Sequence, residues 1–197
     1  MNDQQVAVPE KLPAEILRVL FSEEAISSRV SELAGQISAD YEAIGAGSVL
    51  LIGVLKGAFI FLADLARRLT VPHRVDFIAL SSYGQMGAVS GAVRLLMDLR
   101  EPVAGRHVII VEDIVDSGQT LAYLDRMIGG REPASLRRCT FLRKHTDGQA
   151  TVPIEYVGFD IPDTFVVGYG LDYNDLYRNL PHVASLDSEE IGQEAGP

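Results

Sequence analysis

The sequence predicts an α/β domain in which a parallel-centred, twisted sheet is flanked by helices on both faces. Two continuous apolar runs, residues 49–55 and 108–111, are typical of strands that are buried on both sides. Segments with apolar residues at helical spacing alternate with these runs, and this alternation indicates a mostly parallel sheet. The 197 residues are 47% apolar and 22% charged, with no internal repeat or second-domain linker, so we expect one domain spanning residues 1–197.

The first part of the chain is predicted to contain a loose arm followed by an amphipathic helix. Residues 1–21 carry two prolines and only fragments of pattern, which indicates a loosely attached arm. Ser22 followed by two glutamates has the composition of a helix N-cap and first turn. The helix should end near Gly45. Its predicted buried face is formed by Ile26, Val30, Leu33, Ile37 and Tyr41.

The central part of the chain is predicted to contain a helix and two strands. Lys56-Gly57 interrupts the first apolar run, and a helix is expected over residues 58–69. Its predicted inward residues are Phe59, Leu62, Leu65, Ala66 and Leu69. Residues 75–80 and 93–99 have strand character, whereas the Ser- and Gly-rich residues 81–91 predict a mobile loop between them.

The second half of the chain continues the alternation and ends in a tail. The strand at residues 108–111 leads into a helix over residues 119–128, and further strands are expected at 136–142 and 164–167. Residues 187–197 are rich in acids and predict a disordered tail. In parallel sheets, ligands bind at the carboxyl ends of the strands. This rule places four loops at one edge: those at Lys56-Gly57, residues 112–120, Lys144 and Asp172.

Composition excludes several classes of function. The net charge of −10 and the absence of a long Lys/Arg stripe argue against a general nucleic-acid surface. No apolar stretch approaches the ~20 residues that span a bilayer. The polar first ten residues lack a secretory signal, and the single cysteine, Cys139, suits a reducing cytoplasm, so we expect a cytoplasmic protein. Cys139 is interpreted as a small buried hydrophobe, and the four histidines show no zinc-ligand spacing.

The segment from Val111 to Thr120 carries the strongest chemical signal. Glu112 and Asp113 end a predicted strand, and Asp116 opens a Ser/Gly/Thr turn that starts a helix. Such a turn directs free backbone N–H groups at an anion. The segment matches neither a Walker A loop nor a dinucleotide fingerprint.

One ligand accounts for acids beside an anion cradle. The turn can bind a phosphate through N–H groups and hydroxyls, while Glu112 and Asp113 accept hydrogen bonds from a sugar diol. Asp116 then lies between phosphate and sugar, so a ribose 5-phosphate is the economical ligand. The alternative is that Asp116 only N-caps the helix and that Glu112 and Asp113 are solvated. Three acids with Ser, Gly and Thr in ten residues favour the ligand site.

Five separated segments together resemble a known family. Residues 111–120 resemble the 5-phosphoribosyl-1-pyrophosphate (PRPP) signature of type I phosphoribosyltransferases, and the chain resembles the hypoxanthine-guanine phosphoribosyltransferases in particular. The other matching segments are the pyrophosphate loop at 55–57, the flexible hood at 81–84, the purine-lysine strand at 141–144 and the C-terminal hood at 157–163 with 165–173. The resemblance covers roughly residues 19–186 and implies a small hood built from the N- and C-terminal segments.

The resemblance implies the reaction and the roles of the donor site. The family transfers a phosphoribosyl group from PRPP to a purine nitrogen, with Mg²⁺ on the pyrophosphate and ribose hydroxyls. Glu112 and Asp113 would hold the ribose hydroxyls, and Asp116 is the candidate general base for the purine imidazole proton. The 5-phosphate would be bound by Ser117, Gly118, Gln119 and Thr120.

The resemblance also assigns the leaving-group site. Lys56, Gly57 and Arg178 would bind pyrophosphate, and in this family the Leu55-Lys56 peptide is often cis. Glu112, Asp113 and Asp172 are the expected metal ligands. Ser82 and Tyr83 belong to the flexible loop that would close over the reaction and exclude water. Without the resemblance, Arg178 would be interpreted as a solvated charge and Asp172 as a turn residue.

The expected purine site consists of Lys144, Phe165, Val166 and Asp172. The Lys144 ammonium has donors only, so it favours the 6-oxo group of hypoxanthine or guanine over the amine of adenine. Phe165 would stack on the base, Val166 would present backbone groups, and carbonyls near Asp172 would read the 2-position. The alternatives are a surface lysine for Lys144 and ordinary core packing for Phe165. The preference among hypoxanthine, guanine and xanthine stays open.

Two other functions compete with a purine salvage enzyme. A regulatory protein of the same fold would keep the ribose-phosphate loop but lose base-site residues or gain a basic face. The presence of Lys144, Phe165 and Asp172 without a basic face favours the enzyme. A pyrimidine or adenine transferase is disfavoured by Lys144 and the C-terminal hood. The expected partners are PRPP and a 6-oxopurine, with no nucleic acid and no membrane, and the family usually forms homodimers or homotetramers.

Overall fold

A computed structural model describes residues 16–83, 92–144 and 152–186 of the chain. These residues form nine strands and three α-helices. In chain order they are β1 (Ile16–Phe21), α1 (Glu23–Ala43), β2 (Val49–Leu55), α2 (Phe59–Ala66), β3 (His73–Tyr83), β4 (Ala92–Met97), β5 (His107–Val115), α3 (Gln119–Gly129), β6 (Ser135–Lys144), β7 (Tyr156–Ile161), β8 (Val166–Val167) and β9 (Val183–Leu186).

The main sheet has six strands in the order β4-β3-β2-β5-β6-β7. Every neighbouring pair is parallel except β3 and β4, which pair antiparallel. The predicted parallel-centred α/β sheet is therefore confirmed. Because β2, β5 and β6 run in the same direction, the segments that follow them emerge at one edge of the sheet, as the sequence predicted.

The sheet is covered on both faces, and the alternation of side chains along its strands explains why. Val49 and Leu51 of β2 pack in the cluster that contains the buried residues of α1 and α2. Leu50 and Ile52 point to the other face, where they pack with the buried residues of α3. The helix α1 begins as predicted, because the side chain of Ser22 accepts a hydrogen bond from the backbone N–H of Ala25.

The helix α2 is shorter than the sequence predicted, and its buried face differs. Phe59 was expected to point inward, but it is 44% exposed, whereas Phe61 is fully buried. The turn after β2 delays the start of the helix to Phe59, and Phe61, Leu62 and Leu65 then face the sheet. A Cβ on Gly53 would lie only 2.5 Å from the side chain of Leu62. Because glycine has no Cβ, α2 can approach the strand closely at this position.

A second, smaller sheet corrects the expectation of a loose N-terminal arm. It has the order β1-β9-β8, and both strand pairs are antiparallel. Residues 16–21, which the sequence assigned to the arm, instead form β1 and pair with β9 near the end of the described chain. This sheet is the hood from the two terminal segments. Residues 1–15 and the predicted tail at 187–197 lie outside the described residues.

Two further boundaries differ from prediction. Residues 81–83 extend β3 and pair with β4, so they are strand and not loop; residues 84–91 lie outside the described residues. Residues 157–161 were expected in the C-terminal hood, but they belong to the edge strand β7 of the main sheet. In the described ranges, no helix is long and apolar enough to cross a membrane.

Candidate active site

The predicted strand, turn and helix at residues 107–129 are present, but the strand is longer than expected. The strand β5 continues through Val115, so Glu112 and Asp113 lie within it, and Glu112 pairs in register with Thr140 of β6. The helix α3 begins at Gln119, and its N-cap is Gly118 in the left-handed conformation, with φ 74° and no side-chain cap. The alternative in which Asp116 caps the helix is therefore wrong.

The N-terminus of α3 forms a small open cradle. Residues 116–120, together with Glu112 and β5 residues, line a cavity of about 90 Å³. This volume corresponds to about three water molecules, the size range of one phosphate group. No acid lies in the first turn of α3, and its N-cap residue, Gly118, makes no side-chain hydrogen bond. Ser117 Oγ accepts the N–H of Gln119 at 3.5 Å, and the positive dipole end of the helix lies at the cradle, where it would attract an anion.

Glu112 is buried and Asp113 is partly buried, which excludes the alternative in which both are solvated. Glu112 is 5% exposed, and its Oε2 atom has no hydrogen-bond partner among the residues that the structure describes. Burial, together with the charge of Asp113, raises the pKa of Glu112 to about 8. Burial raises the pKa of Asp113 to about 6, although backbone N–H groups and Arg178 oppose the shift. An unpartnered carboxyl oxygen at this depth is suited to a hydroxyl donor or a cation.

A second cavity of about 210 Å³ adjoins these acids. It is lined by the residues predicted for the leaving group and the metal, by Thr120 of the predicted phosphate site and by four apolar neighbours; the predicted residues are Lys56, Gly57, Glu112, Asp113, Asp172 and Arg178. A Cβ on Gly57 would lie 1.5 Å from Oδ2 of Asp113, so only glycine fits between the loop and this carboxylate. The Leu55-Lys56 peptide is cis.

The cations of this second cavity are paired with acids of the C-terminal segment. Arg178 Nη2 lies 2.6 Å from Asp172 Oδ1 and 2.9 Å from Asp175 Oδ1. Lys56 Nζ lies 2.9 Å from the same Asp175 oxygen. The hydrogen bonds from Lys56 and then Arg178 lower the pKa of Asp175. The alternative of a solvated Arg178 is wrong, because its side chain is only 20% exposed and is fully engaged.

Asp175 is a site residue that the sequence analysis missed. It lies in a turn with a positive φ of 62°, and nothing in the local pattern indicates a partner 119 residues away. Its carboxylate bridges the two predicted pyrophosphate-binding cations. Those cations are thus held side by side at the rim of the cavity.

The predicted metal ligands do not form a complete set. Of the residues that the structure describes, no three from His, Cys, Asp and Glu are arranged to hold a metal ion. Asp172 lines the same cavity as Glu112 and Asp113, and its carboxylate is engaged by Arg178 and by the backbone N–H of Asp175. Mg²⁺ is commonly bound by one or two carboxylates together with water and substrate phosphates. The oxygen-lined cavity and the unpartnered Glu112 oxygen fit that partial mode.

Lys144 is buried beside Asp116, which excludes the alternative of a surface lysine. It is 9% exposed, and its Nζ lies 3.4 Å from Asp116 Oδ2 and 3.0 Å from Asp163 Oδ1. The end of β6 therefore places a cation next to Asp116, the candidate base. Asp163 is a second residue that sequence reasoning missed, because an isolated acid after Pro162 resembles any turn residue.

The segment that follows Asp163 carries the other predicted purine contacts. Phe165 is 41% exposed, so ordinary core packing does not describe it, and its ring meets Tyr173 edge to face at 5.7 Å. Val166 is buried and pairs with Ser185 in the small sheet. Ser82 and Tyr83 end β3 opposite Val93 and Ala92; their side chains lie outside the described part of the chain.

Comparison with known proteins agrees with this geometry. The family model for the phosphoribosyl transferase domain matches residues 20–174. A hypoxanthine-guanine phosphoribosyltransferase of Mycobacterium tuberculosis is 51% identical over 181 residues, covering 90% of each chain. A hypoxanthine phosphoribosyltransferase of Escherichia coli is 45% identical over 170 residues, covering 86% of this chain and 95% of the relative.

Solved structures lead to the same family. The hypoxanthine phosphoribosyltransferase of Trypanosoma cruzi, in complex with the product IMP, superposes with a TM-score of 0.83 at 44% identity. The match covers 91% of this chain and 98% of the other. The chain therefore belongs to the phosphoribosyltransferase family, and its relatives are the hypoxanthine-guanine phosphoribosyltransferases.

Proposed function

We propose that this chain is a purine salvage enzyme that transfers the 5-phosphoribosyl group of PRPP to hypoxanthine, guanine or both, giving IMP or GMP and pyrophosphate. One observation carries the proposal: Lys144 Nζ lies 3.4 Å from Asp116, which itself lines the phosphate cradle. A cationic donor for a 6-oxo group thus lies beside the candidate base and the sugar-phosphate site. Relatives with this activity in their names are about half identical over most of the chain.

The donor would occupy both cavities at once. Its 5-phosphate would bind the N–H groups and hydroxyls of residues 117–120, and its ribose hydroxyls would donate to Glu112 and Asp113. The two cavities share Glu112 and Thr120, so one molecule can extend across both. The pyrophosphate would then meet Lys56, Gly57 and Arg178, which present two cations and a close backbone.

The reaction breaks the bond between the anomeric carbon of the ribose and the pyrophosphate oxygen. Positive charge develops on the sugar ring and negative charge on the leaving group, and a purine imidazole nitrogen forms the new bond. Asp116 would accept the proton that this nitrogen loses. Lys56 and Arg178 would stabilise the departing pyrophosphate. Closure of the loop at Ser82 and Tyr83 would keep water away from the positively charged sugar ring.

Mg²⁺ is the cofactor that we propose, with Glu112, Asp113 and Asp172 as candidate protein contacts and the remaining ligands coming from PRPP and water. The ion would neutralise charge on the pyrophosphate. The donor set of carboxylate oxygens suits this hard cation, and the unpartnered Oε2 of Glu112 supports it. Chelation with EDTA should abolish transfer, and added Mg²⁺ should restore it.

Base selection would rest on Lys144. Its ammonium donates to a carbonyl oxygen and offers no acceptor to the amine of adenine. Phe165 is exposed enough to stack on the base, and the backbone of Val166 and the segment at Asp172 would read the remaining edge. These contacts favour 6-oxopurines over adenine, and the choice among hypoxanthine, guanine and xanthine requires measurement.

The decisive experiment is a transfer assay with purified protein, PRPP, Mg²⁺ and a panel of hypoxanthine, guanine, xanthine, adenine and uracil. We expect nucleotide from hypoxanthine or guanine, and no product from any 6-oxopurine would refute the proposal. Asp116→Asn should lower turnover while PRPP binding is largely retained. Lys144→Ala should mainly weaken base binding or selection, and an unchanged base profile would contradict its role.

The assay also separates the competing functions. Product from adenine or uracil alone would indicate a different transferase, whereas PRPP binding without product from any base would indicate a regulatory protein of this fold. We further propose a cytoplasmic location, because the one thiol, Cys139, is free and buried. Assembly as a homodimer or homotetramer follows from the family resemblance and can be checked by sedimentation.

A further inference from the structure

A buried tyrosine links the C-terminal segment of the site to the helix α2. The hydroxyl of Tyr169 donates a hydrogen bond of 2.7 Å to Oδ2 of Asp64, which lies 105 residues earlier in the chain. The other oxygen of Asp64 faces Arg67 and Arg68, so the carboxylate is held from both sides. Tyr169 is 5% exposed, and a hydrogen bond to an ionised group in this setting is stronger than one between neutral groups.

The backbone at Tyr169 is in an uncommon conformation that requires such support. Gly168, Tyr169 and Gly170 all have positive φ, at 95°, 51° and 104°. Glycine adopts this region readily, but a bulky residue does so only where its surroundings hold it there. The ring of Tyr169 packs against Phe141 of β6 with centroids 4.8 Å apart, and its hydroxyl is fixed by Asp64. The side chain therefore holds the backbone of this turn.

This turn supports the leaving-group cavity directly. The carbonyl of Gly170 accepts a 2.8 Å hydrogen bond from Arg178 Nη1, and the N–H of Gly170 donates to the carbonyl of Arg178 at 3.0 Å. A Cβ on Gly170 would lie 2.1 Å from the carbonyl oxygen of Gly57, so the turn also packs closely against the Lys56-Gly57 loop. Arg178 in turn contacts Asp172. A shift of Tyr169 would therefore move residues on two sides of this cavity.

We propose that Tyr169 and Asp64 are positioning residues that set Arg178 and the Lys56-Gly57 loop at the spacing that pyrophosphate requires. This inference rests on the proposed function, because it assumes that the 210 Å³ cavity receives pyrophosphate. Neither side chain lines that cavity or would touch the reacting atoms. Their action passes through the backbone of Gly170, and it concerns the pyrophosphate end of the donor and not the purine.

The chain offers a matched control for the loss of one hydroxyl. Tyr156 is 3% exposed, and its hydroxyl donates to Oδ2 of Asp40 on α1 at 2.8 Å. It therefore has the same burial and the same kind of partner as Tyr169. It lies on the edge strand β7, and it lines neither cavity. Tyr169→Phe removes a tyrosine–aspartate hydrogen bond at the site, and Tyr156→Phe removes one away from it, together with the hydrogen bond that the Tyr156 hydroxyl accepts from Arg137.

The test is steady-state kinetics in both directions for the wild type and the two variants. We expect Tyr169→Phe to raise the KM for PRPP, and the KM for pyrophosphate in the reverse reaction, by about tenfold. The KM for hypoxanthine should stay within about twofold of wild type, as expected if base contacts are unchanged. Tyr156→Phe should change none of these constants. Equal effects of the two variants, or equal changes in the KM values for donor and base, would overturn the inference.

A second variant and a binding measurement keep the result interpretable. Asp64→Asn should raise the same two KM values, and the double variant with Tyr169→Phe should be no worse than the more impaired single variant. Independent, additive effects would contradict a shared role. Calorimetric titration of each variant with pyrophosphate and Mg²⁺ gives the affinity without turnover. If the wild type binds pyrophosphate but transfers nothing, the proposed function fails, and the affinities of the variants still decide this inference.

Discussion

Replacing Glu112 with glutamine should remove part of the pH dependence of the free energy of unfolding. Glu112 is almost fully buried, its Oε2 has no partner within the described part of the chain, and burial raises its pKa from 4.5 to about 8. The folded protein therefore keeps a proton that the unfolded chain releases at a lower pH. The stability contributed by this proton is complete below pH 4.5 and is lost as the pH rises towards 8. Glutamine at this position remains neutral throughout.

The expected effect is large enough to measure. Each unit by which a pKa is raised corresponds to about 1.4 kcal/mol between the two protonation states. For Glu112, the free energy of unfolding should fall by about 2 to 3 kcal/mol between pH 5 and pH 7. For a chain of this length, that difference lowers the midpoint of thermal unfolding by about 5 to 10 °C. The glutamine variant should lack this part of the fall.

The assay is thermal or urea unfolding of both proteins at pH 5, 6, 7 and 8, without ligand and with EDTA present. The difference between variant and wild type reports on Glu112 and on its interaction with Asp113, because the remaining titrating groups are common to both. The stability of Glu112→Gln relative to the wild type should increase as the pH rises. Its affinity for PRPP should fall, because an amide oxygen is a weaker hydrogen-bond acceptor than a carboxylate. If the stability difference were constant from pH 5 to pH 8, Glu112 would not be the buried proton carrier that the geometry indicates.

Three further substitutions or treatments test other parts of the structure. Gly57→Ala would place a Cβ 1.5 Å from Asp113 Oδ2. We therefore expect kcat/KM for PRPP to fall about hundredfold with little change in the midpoint of thermal unfolding. A kcat/KM within about threefold of wild type would contradict this expectation. Asp76→Asn should lower the free energy of urea unfolding at pH 7 by about 2 kcal/mol, because the carboxylate accepts hydrogen bonds from three backbone N–H groups. These hydrogen bonds outweigh the raising effect of burial and lower the pKa of Asp76. The advantage of the wild type should therefore shrink as the pH falls below 3.8. Cys139 is buried and its pKa is raised by burial, so a thiol reagent should modify it only after denaturation; rapid modification of native protein would show that the strand is accessible.

The parts of the fold that could be predicted are those with a repeating local pattern. The strands β2 and β5 were visible as continuous apolar runs, and α1 was visible from its cap and helical spacing. These signals are local, since burial of a strand on both faces or of one side of a helix leaves its mark within ten to twenty residues. The helix α3 was placed within one residue of its observed ends for the same reason.

The parts that escaped prediction depend on distant pairing. The strand β1 forms because residues 16–21 find β9, and their sequence alone resembles a loose arm. The strand β7 pairs with β6 at the edge of the main sheet, and its short run does not reveal which sheet it joins. The shift of Phe59 to the surface follows from the turn that delays the start of α2. For β1 and β7, a tertiary contact decides between structures that are equal in local propensity.

The same distinction separates the two halves of the site. The donor half is one contiguous segment, so its acids, hydroxyls and glycine were visible together. Asp163, Asp175 and Tyr169 were missed because each is a single residue whose partner lies 19, 119 or 105 residues away. Acids in turns are common, and only the folded chain shows that these are paired with the cations and the helix that build the site.

The position of Asp163 resolves an electrostatic difficulty in the proposed reaction. A purine that binds between Lys144 and Asp116 must replace their 3.4 Å contact. A buried ammonium that loses its only carboxylate would cost several kcal/mol, which would oppose base binding. Asp163 remains 3.0 Å from Lys144 Nζ, and its side chain is 69% exposed, so it can partner the cation and still be solvated. In the proposed reaction, Lys144 would therefore exchange Asp116 for a carbonyl oxygen without becoming an isolated charge, and Asp116 would then accept the imidazole proton.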